Sequence, residues 1–532
     1  MQLKKTLVPF EKTNFFSKLF LDYVNDAQNT KLNSFYAYEP SAAGIQNFID
    51  TNAYTNLNRN LLVSELHKQN NDITLSESTK KNINKLTDKN TYTVTTGHQL
   101  CLATGPTYFI YKIISCINLC ETLNTQNTGK HFVPVYWMAS EDHDFEEINH
   151  INLFNKKIAW KTEQKGKVGA FTLDGIDSFL AEIKQALGES EQGEKLNALL
   201  NNTYSRNNLA HATRYLVNEL FGKYGLVVLD GDSKALKQEF IAEIKQDIFE
   251  NTAYKNVATS NQKLKEQGYD AQVTPREINI FYANKNVRER IVKENNAFRV
   301  LNTDISFSKE EIGNLIDTET EKFSPNVVLR PMYQQKILPN AVYVGGPGEL
   351  AYWLQYRLMF DEARLAFPVL MPRNFIFYLD KNLQQKMQKL NLSTQDFFTE
   401  KDKLVKSYAL SQQPFSLEKE KENLKILYNH VRAEISKVDK TLEATSEAEL
   451  QKNLKSLEML EQKGVRSIKQ KNEQAINQIE TTYTRLFPND VPQERFENFL
   501  RFALTNPDFV EDVKNNTSSF ANEKGIVVLS EE

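Results

Sequence analysis

Three segments concentrate the side chains able to do chemistry. The first is TTGHQLCLATGPTYFIYK, residues 95–112. Gly97 lets the backbone turn sharply after a strand. His98 and Gln99 then stand where a strand ends, the place where ligands of open α/β sheets gather. Gly105 and Pro106 read as the opening of a helix, since proline suits a first helical position. Free N–H groups and the dipole at that end favour a phosphate or carboxylate. Tyr108 would sit in the first turn, and Lys112, within two turns, could reach the same anion. The second segment is ASEDHDFEEINH, residues 139–150. Glu141, Asp142, His143 and Asp144 could hold an ammonium group, supply a general base or bind a metal; a capping turn is an equal reading. His143 and His150 lack a third ligand at a known spacing, so no metal is expected. The third segment, residues 323–355, carries Gly345, Gly346 and Gly348 before a helix. These glycines permit close backbone approach to a ligand. Arg330, Gln334 and Glu349 are candidate substrate contacts, and Tyr352 and Trp353 could wall a pocket or simply be core. Neither GxGxxG nor GxxxxGK[ST] occurs.

These side chains need a sheet to position them. TYTVTT (91–96) is β-branched and reads as a strand. Ile110, Ile113, Ile117 and Cys120 recur at helical spacing over 106–124, and FVPVYWM (132–138) is a continuous apolar strand. Strand, helix and strand in this order make a βαβ unit of a parallel sheet. Further strands are expected at 226–229, 278–282, 340–344 and 368–371, with a polar hairpin near 157–173. The expected fold class is α/β, a Rossmann-like doubly wound parallel sheet with inserted regions and a C-terminal antiparallel helical coiled coil. The coiled coil follows from apolar residues spaced by three and four from Leu417 to Leu442 and again from Leu450 to Leu486, across a polar break at 444–447. Phe16, Leu19, Phe20 and Tyr23 form an apolar helix face near the start. A small helix is expected over 496–502 and a last strand over 526–529.

The segments expected are 1–88 (helical), 89–150 (first half of the core), 151–224 (an inserted α+β region), 225–384 (second half of the core with a second insertion), 385–490 (the helical hairpin) and 491–532 (a tail on the core).

Composition sets limits. The 532 residues are 40% hydrophobic and carry a net charge of −3, so a folded core is expected and no bulk attraction to nucleic acid or membrane. The three cysteines, Cys101, Cys116 and Cys120, lie close together and do not suggest a disulfide framework. The absence of a long apolar run argues against a signal peptide or membrane span, making the cytoplasm the expected compartment.

The three segments together resemble the BshC family, the cysteine-adding enzymes of bacillithiol biosynthesis. Thr96–Gln99 with Gly105–Lys112 is similar to the family's TG-x-Q and GP-opened helix. Ala139–His150 resembles its ASEDHDF-E-x-NH stretch, and Arg330 through Trp353 its RP…LP…GGPGE-AYW stretch. The resemblance implies a core like that of class I aminoacyl-tRNA synthetases and nucleotidylyltransferases. It implies a ligase joining L-cysteine to the amine of glucosaminyl-malate; forming that amide from a free carboxylate needs activation, so ATP with Mg is the expected cofactor, through an acyl-adenylate or an acyl-phosphate. It also implies a homodimer formed through the helical hairpin. On this reading Gly97, His98, Lys112 and the helix starts at Gly105 and Gly348 meet phosphate. Glu141, Asp142 or Asp144 hold or deprotonate an amine, and Arg330 pairs with malate carboxylates. Three rivals stand beside it: a metal-dependent hydrolase or transferase using His143, Asp144 and His150, a non-enzymatic coiled-coil scaffold, and a tRNA-dependent ligase.

Overall fold

A computed structural model describes residues 3–25, 31–54, 56–126, 129–520 and 524–532. The chain divides into two compact units, 1–378 with 492–532, and 379–491.

The first unit is built on a five-stranded parallel sheet. Its strands are β1 (Thr91–His98), β2 (His131–Met138), β3 (Val227–Asp230), β4 (Asn340–Gly345) and β5 (Val369–Pro372). They lie in the order β5-β4-β1-β2-β3. Almost every residue in them is buried, as both faces of a parallel sheet must be when helices cover them. The chain leaves β1 toward β2 on one side and later returns to β4 on the other. The order therefore reverses between β1 and β4, and this leaves a crevice beyond their C-terminal ends. The expected Rossmann-like core is present.

Helix α1 (Tyr108–Thr125) joins β1 to β2 and is buried along most of its length. It starts two residues later than expected from Pro106. Ala103, Thr104 and Gly105 all adopt positive φ, and Pro106 forms a bridge to Asn498. The backbone N–H of Thr107 donates to the Glu497 carbonyl at 2.8 Å. The C-terminal segment thus covers the start of α1.

Three other expectations need correction. The strand at 278–282 is Ile280–Asn284, and it lies outside the core, in a separate antiparallel sheet. It turns at once into a hairpin with Val287–Glu294, which no crossover helix interrupts. The N-terminal segment contains a strand, Leu3–Pro9, paired with Gly525–Glu531, so the expected last strand has a partner at the other end of the chain. Leu3–Pro9 is mostly exposed and so carries no apolar alternation to betray it. The tail helix is only Leu500–Ala503, preceded by a 3-10 turn at Gln493–Arg495. Near the N-terminus, the helix Lys18–Asn25 buries Leu19, Phe20 and Tyr23. Phe16 precedes that helix and stacks on Phe20, with ring centroids 5.0 Å apart.

The second unit is helical. Its long pair, Glu418–Ser436 and Glu443–Lys471, runs antiparallel. Lys421 reaches Glu461 at 2.7 Å, Asn453 donates to the Tyr428 hydroxyl at 2.9 Å, and Arg432 pairs with Glu447. The turn falls at 437–442, ahead of the polar break expected at 444–447, which lies inside the second helix. The Asp439 carboxylate accepts from Thr441 N–H and fixes the turn, while Glu443, Ala444 and Glu447 are good helix formers.

Candidate active site

A cavity of about 660 Å3 occupies the crevice at the C-terminal ends of β1, β2, β4 and β5. Gly97, His98 and Gln99 come from the end of β1. Met138 ends β2, Ala139, Glu141, Asp142 and His143 follow it, and Gly346–Glu349 and Arg373 follow β4 and β5. The antiparallel sheet contributes Phe281, Arg288 and Arg290.

Lys112 is buried, and its ammonium is already engaged. It donates to the Gly97 carbonyl at 2.5 Å and to both oxygens of Glu349, at 2.9 and 2.8 Å. Glu349 also accepts from the Tyr343 hydroxyl at 2.8 Å and from Gly346 N–H at 2.9 Å. Burial opposes charge on both partners. It pulls the lysine below its usual range, against the opposing pull of Glu349. On the carboxylate, Lys112 and the hydrogen bonds outweigh burial and hold it below its usual range. Four contacts to one carboxylate make the ion pair the governing state. Lys112 therefore ties β1 to the helix Pro347–Leu354, and its charge is not free to meet an incoming anion.

His98 packs edge-on against Tyr108, with centroids 5.3 Å apart, and beside Phe109. Burial, reinforced by Lys112 and Arg373, pushes its pKa down to about 3. The imidazole is neutral at physiological pH, so it can direct a hydrogen bond and does not offer a cation.

Asp142 accepts from the Gln99 amide at 2.9 Å and from His143 N–H at 2.8 Å, and Arg288 lies 3.8 Å away. Burial would raise its pKa, but these donors hold it well below the carboxylate range. Arg288 donates to His143 Nδ1 at 2.6 Å and stacks over Phe281. Glu141 faces inward and pairs with Lys237, which also holds Asp232 at 2.8 Å. Lys167 reaches Asp232 at 2.7 Å and Glu141 at 4.0 Å. The acidic cluster of the sequence is thus divided: Glu141 is neutralised internally, and Asp142 is presented to the cavity.

The cavity wall carries seven cationic side chains, Lys112 and six arginines, against the three carboxylates Glu141, Asp142 and Glu349. Arg373 is held by Glu494, and Arg288 lies beside Asp142. Among the described residues, Arg276, Arg290, Arg330 and Arg495 have no carboxylate within ion-pair distance. Arg330 donates to Gln334 at 2.9 Å and faces Gly97, where a Cβ would come within 3.5 Å of its guanidinium. A surplus of guanidinium charge suits phosphate or carboxylate groups. Of the four, only Arg330 was marked by its sequence neighbourhood.

The remaining candidates separate clearly. Tyr108, Tyr352, Gly346 and Gly348 line the cavity. Gly105 and Pro106 do not: Gly105 packs on Cys101, where a Cβ would come within 2.6 Å of the Cys101 Cβ, and Pro106 bridges Asn498. The phosphate contact expected of this loop is therefore absent from the cavity wall. Trp353 is fully buried against Tyr343, with centroids 4.4 Å apart, and belongs to the core. Gln334 is buried and reaches the cavity only through Arg330, while Gly345 is buried beneath Glu349. Asp144 is exposed outside the cavity, and His150 begins a hairpin strand and contacts Asn149. Among the described residues, no three such side chains meet in an arrangement able to hold a metal.

The comparison with known proteins agrees with this arrangement of a Rossmann-like core and a helical unit. Residues 2–374 match the family described as "Bacillithiol biosynthesis BshC, N-terminal Rossmann-like domain". Residues 376–529 match "Bacillithiol biosynthesis BshC, C-terminal coiled-coil domain". A protein of Flavobacterium psychrophilum named "Putative cysteine ligase BshC" is 42% identical over 92% of this chain and 93% of its own length. Proteins of the same name from Flavobacterium johnsoniae and Cytophaga hutchinsonii are 41% and 40% identical, each over 93% of this chain and, respectively, 94% and 93% of their own lengths. By both matches, which together span nearly its whole length, the chain belongs to the BshC family of bacillithiol biosynthesis.

Proposed function

We propose that the protein is a ligase that joins the carboxylate of L-cysteine to the amine of glucosaminyl-malate, with ATP and Mg as activating partners. The observation that carries this reading is the set of four unpaired guanidiniums, Arg276, Arg290, Arg330 and Arg495, around a cavity that also presents the ionised Asp142. Such a wall matches an acceptor bearing carboxylates and a donor bearing an ammonium group.

A free carboxylate does not acylate an amine in water, and ATP would supply the missing activation. The residues fit a polyphosphate through the arginines and the open backbone at Gly346–Gly348; a Cβ at Gly348 would meet nothing closer than 3.9 Å. Asp142 is too acidic to be an effective base, so its suited role is to anchor an ammonium through charge and hydrogen bonding. His98, held neutral, orients a substrate group by hydrogen bonding. Arg330 and Arg290 take the malate carboxylates. Glu349, held by Lys112, fixes the position of the Gly346 turn.

The helical unit supports a proposed homodimer. Ile426, Leu427, Met459 and Leu460 are roughly half exposed on its long helices, and an apolar surface of this kind suits a second copy of the same unit.

The test is direct. Purified protein is incubated with cysteine, glucosaminyl-malate, ATP and Mg, and the amide is sought by mass spectrometry, with His98→Ala and Asp142→Ala in parallel. Amide from the wild type and little from either variant is the expected result. AMP or ADP in the same mixture distinguishes adenylate from phosphate activation. No amide from folded wild-type protein would reject the reading.

A further inference from the structure

A second cavity, of about 530 Å3, opens beside the C-terminal end of β3 and shares no lining residue with the first. Its charged walls are mostly satisfied from within. His211 contacts Asp72 at 2.6 Å, Ser233 donates to Glu65 at 2.6 Å, and Lys234 donates to the Thr318 carbonyl at 2.8 Å. Asp232 is held by Lys167 and Lys237 at 2.7 and 2.8 Å.

Arg214 is the exception. Its side chain is only 4% exposed, yet it makes no hydrogen bond among the described residues, and its Nε is buried without a partner. The nearest carboxylate, Asp230, lies 3.7 Å away, beyond hydrogen-bonding reach. Asp230 is itself committed, accepting from the Ser140 hydroxyl and from Asp232 N–H at 2.9 Å. Asp230 therefore balances the charge of Arg214 at ion-pair distance but leaves its planar fork of N–H donors without hydrogen-bond acceptors, which is unfavourable for a buried guanidinium unless something in the cavity meets it. An oxyanion with two parallel oxygens matches that fork.

We propose that this cavity is a second anion site, in which Arg214 binds a small carboxylate or phosphate. The site lies outside the reaction cavity but close to it, because Asp230, 3.7 Å from Arg214, accepts a hydrogen bond from Ser140, the neighbour of Glu141.

The full-length protein tests this. Crystals soaked in arsenate, a phosphate isostere located by its anomalous scattering, are expected to show a peak within hydrogen-bond reach of Arg214. Calorimetric titrations with inorganic phosphate and, separately, malate then assign the anion class. They use an Arg330→Gln background, which weakens the first cavity. Adding Arg214→Gln is expected to weaken the retained binding at least about tenfold, with Arg214→Lys intermediate, since a bidentate charged contact is lost. Malate binding without phosphate binding would identify a carboxylate site. No arsenate peak together with titrations of both anions unchanged by Arg214→Gln would overturn the proposal. Should Arg214→Gln fail to fold, the wild-type soak and Arg214→Lys still decide the question.

Discussion

Glu494 grips Arg373 through both terminal guanidinium nitrogens, at 2.9 and 2.5 Å, with each side chain almost wholly buried. Glu494 also accepts from Ile376 N–H at 3.1 Å, and the Arg373 guanidinium lies over the Phe375 ring. A segment near the C-terminus thereby fixes a cation on the wall of the cavity. Removing one member of a buried pair leaves the other charge without compensation, typically at a cost of about 3–5 kcal/mol. Glu494→Gln is therefore expected to lower the melting temperature clearly and, in the surviving fold, to raise KM for an anionic substrate. Unchanged melting and KM would show that the pair does not position Arg373.

Acid should weaken the first unit in two stages. His98 has a folded pKa of about 3, below the ~6.5 of an unfolded histidine. As pH falls through that window the unfolded chain takes a proton that the folded site refuses, so stability decreases by up to about 1.4 kcal/mol per pH unit. Asp142 and Glu349 have depressed folded values. Their contribution is complete above the unfolded carboxylate value of ~4 and is lost as pH falls through the folded values. Urea midpoints measured from pH 7 to 3 should decline throughout, and His98→Asn should flatten the upper part of that decline. A wild-type midpoint constant between pH 6.5 and 4.5 would contradict a neutral, buried His98.

The unpaired arginines should govern acceptor binding. Charged hydrogen bonds are worth about 1.5–3 kcal/mol, so Arg330→Gln or Arg290→Gln is expected to raise KM for glucosaminyl-malate by roughly ten- to a hundredfold. The KM for cysteine should change much less. Equal effects on both substrates would assign these arginines to something other than the malate carboxylates.

The exposed apolar residues of the helical unit give a prediction of their own. Leu427→Glu combined with Leu460→Glu should convert a dimer to a monomer in light scattering while leaving helix content unchanged. Deleting residues 417–486 should have the same effect on mass. A dimer that survives both changes must form elsewhere.

Much of the architecture could be read from the chain. Apolar runs locate β2 and β4, which are buried on both faces, and β-branched residues before a glycine turn locate β1, whose buried threonines fit a strand as well as apolar side chains do. The three–four spacing locates the long helices, and only their turn was misplaced, since alanine and glutamate near 444–447 favour helix over loop. Weakly patterned elements escaped. Leu3–Pro9 is mostly exposed, and its strand character comes from a partner at the far end of the chain.

The sequence by itself determined where core strands end, and therefore where His98, Asp142 and Glu349 could gather. Only the tertiary structure decided what each could do. Lys112 is neutralised by Glu349, Glu141 by Lys237, and Arg373 is fixed by Glu494, through contacts between residues about a hundred or more positions apart. The antiparallel sheet brings Arg288 and Arg290 over a crevice formed by other strands. Periodicity reports which face of an element is buried. It carries no information about which distant charge will meet that face, and in a low-dielectric cavity that pairing, together with burial, sets the protonation and availability of the ionisable groups.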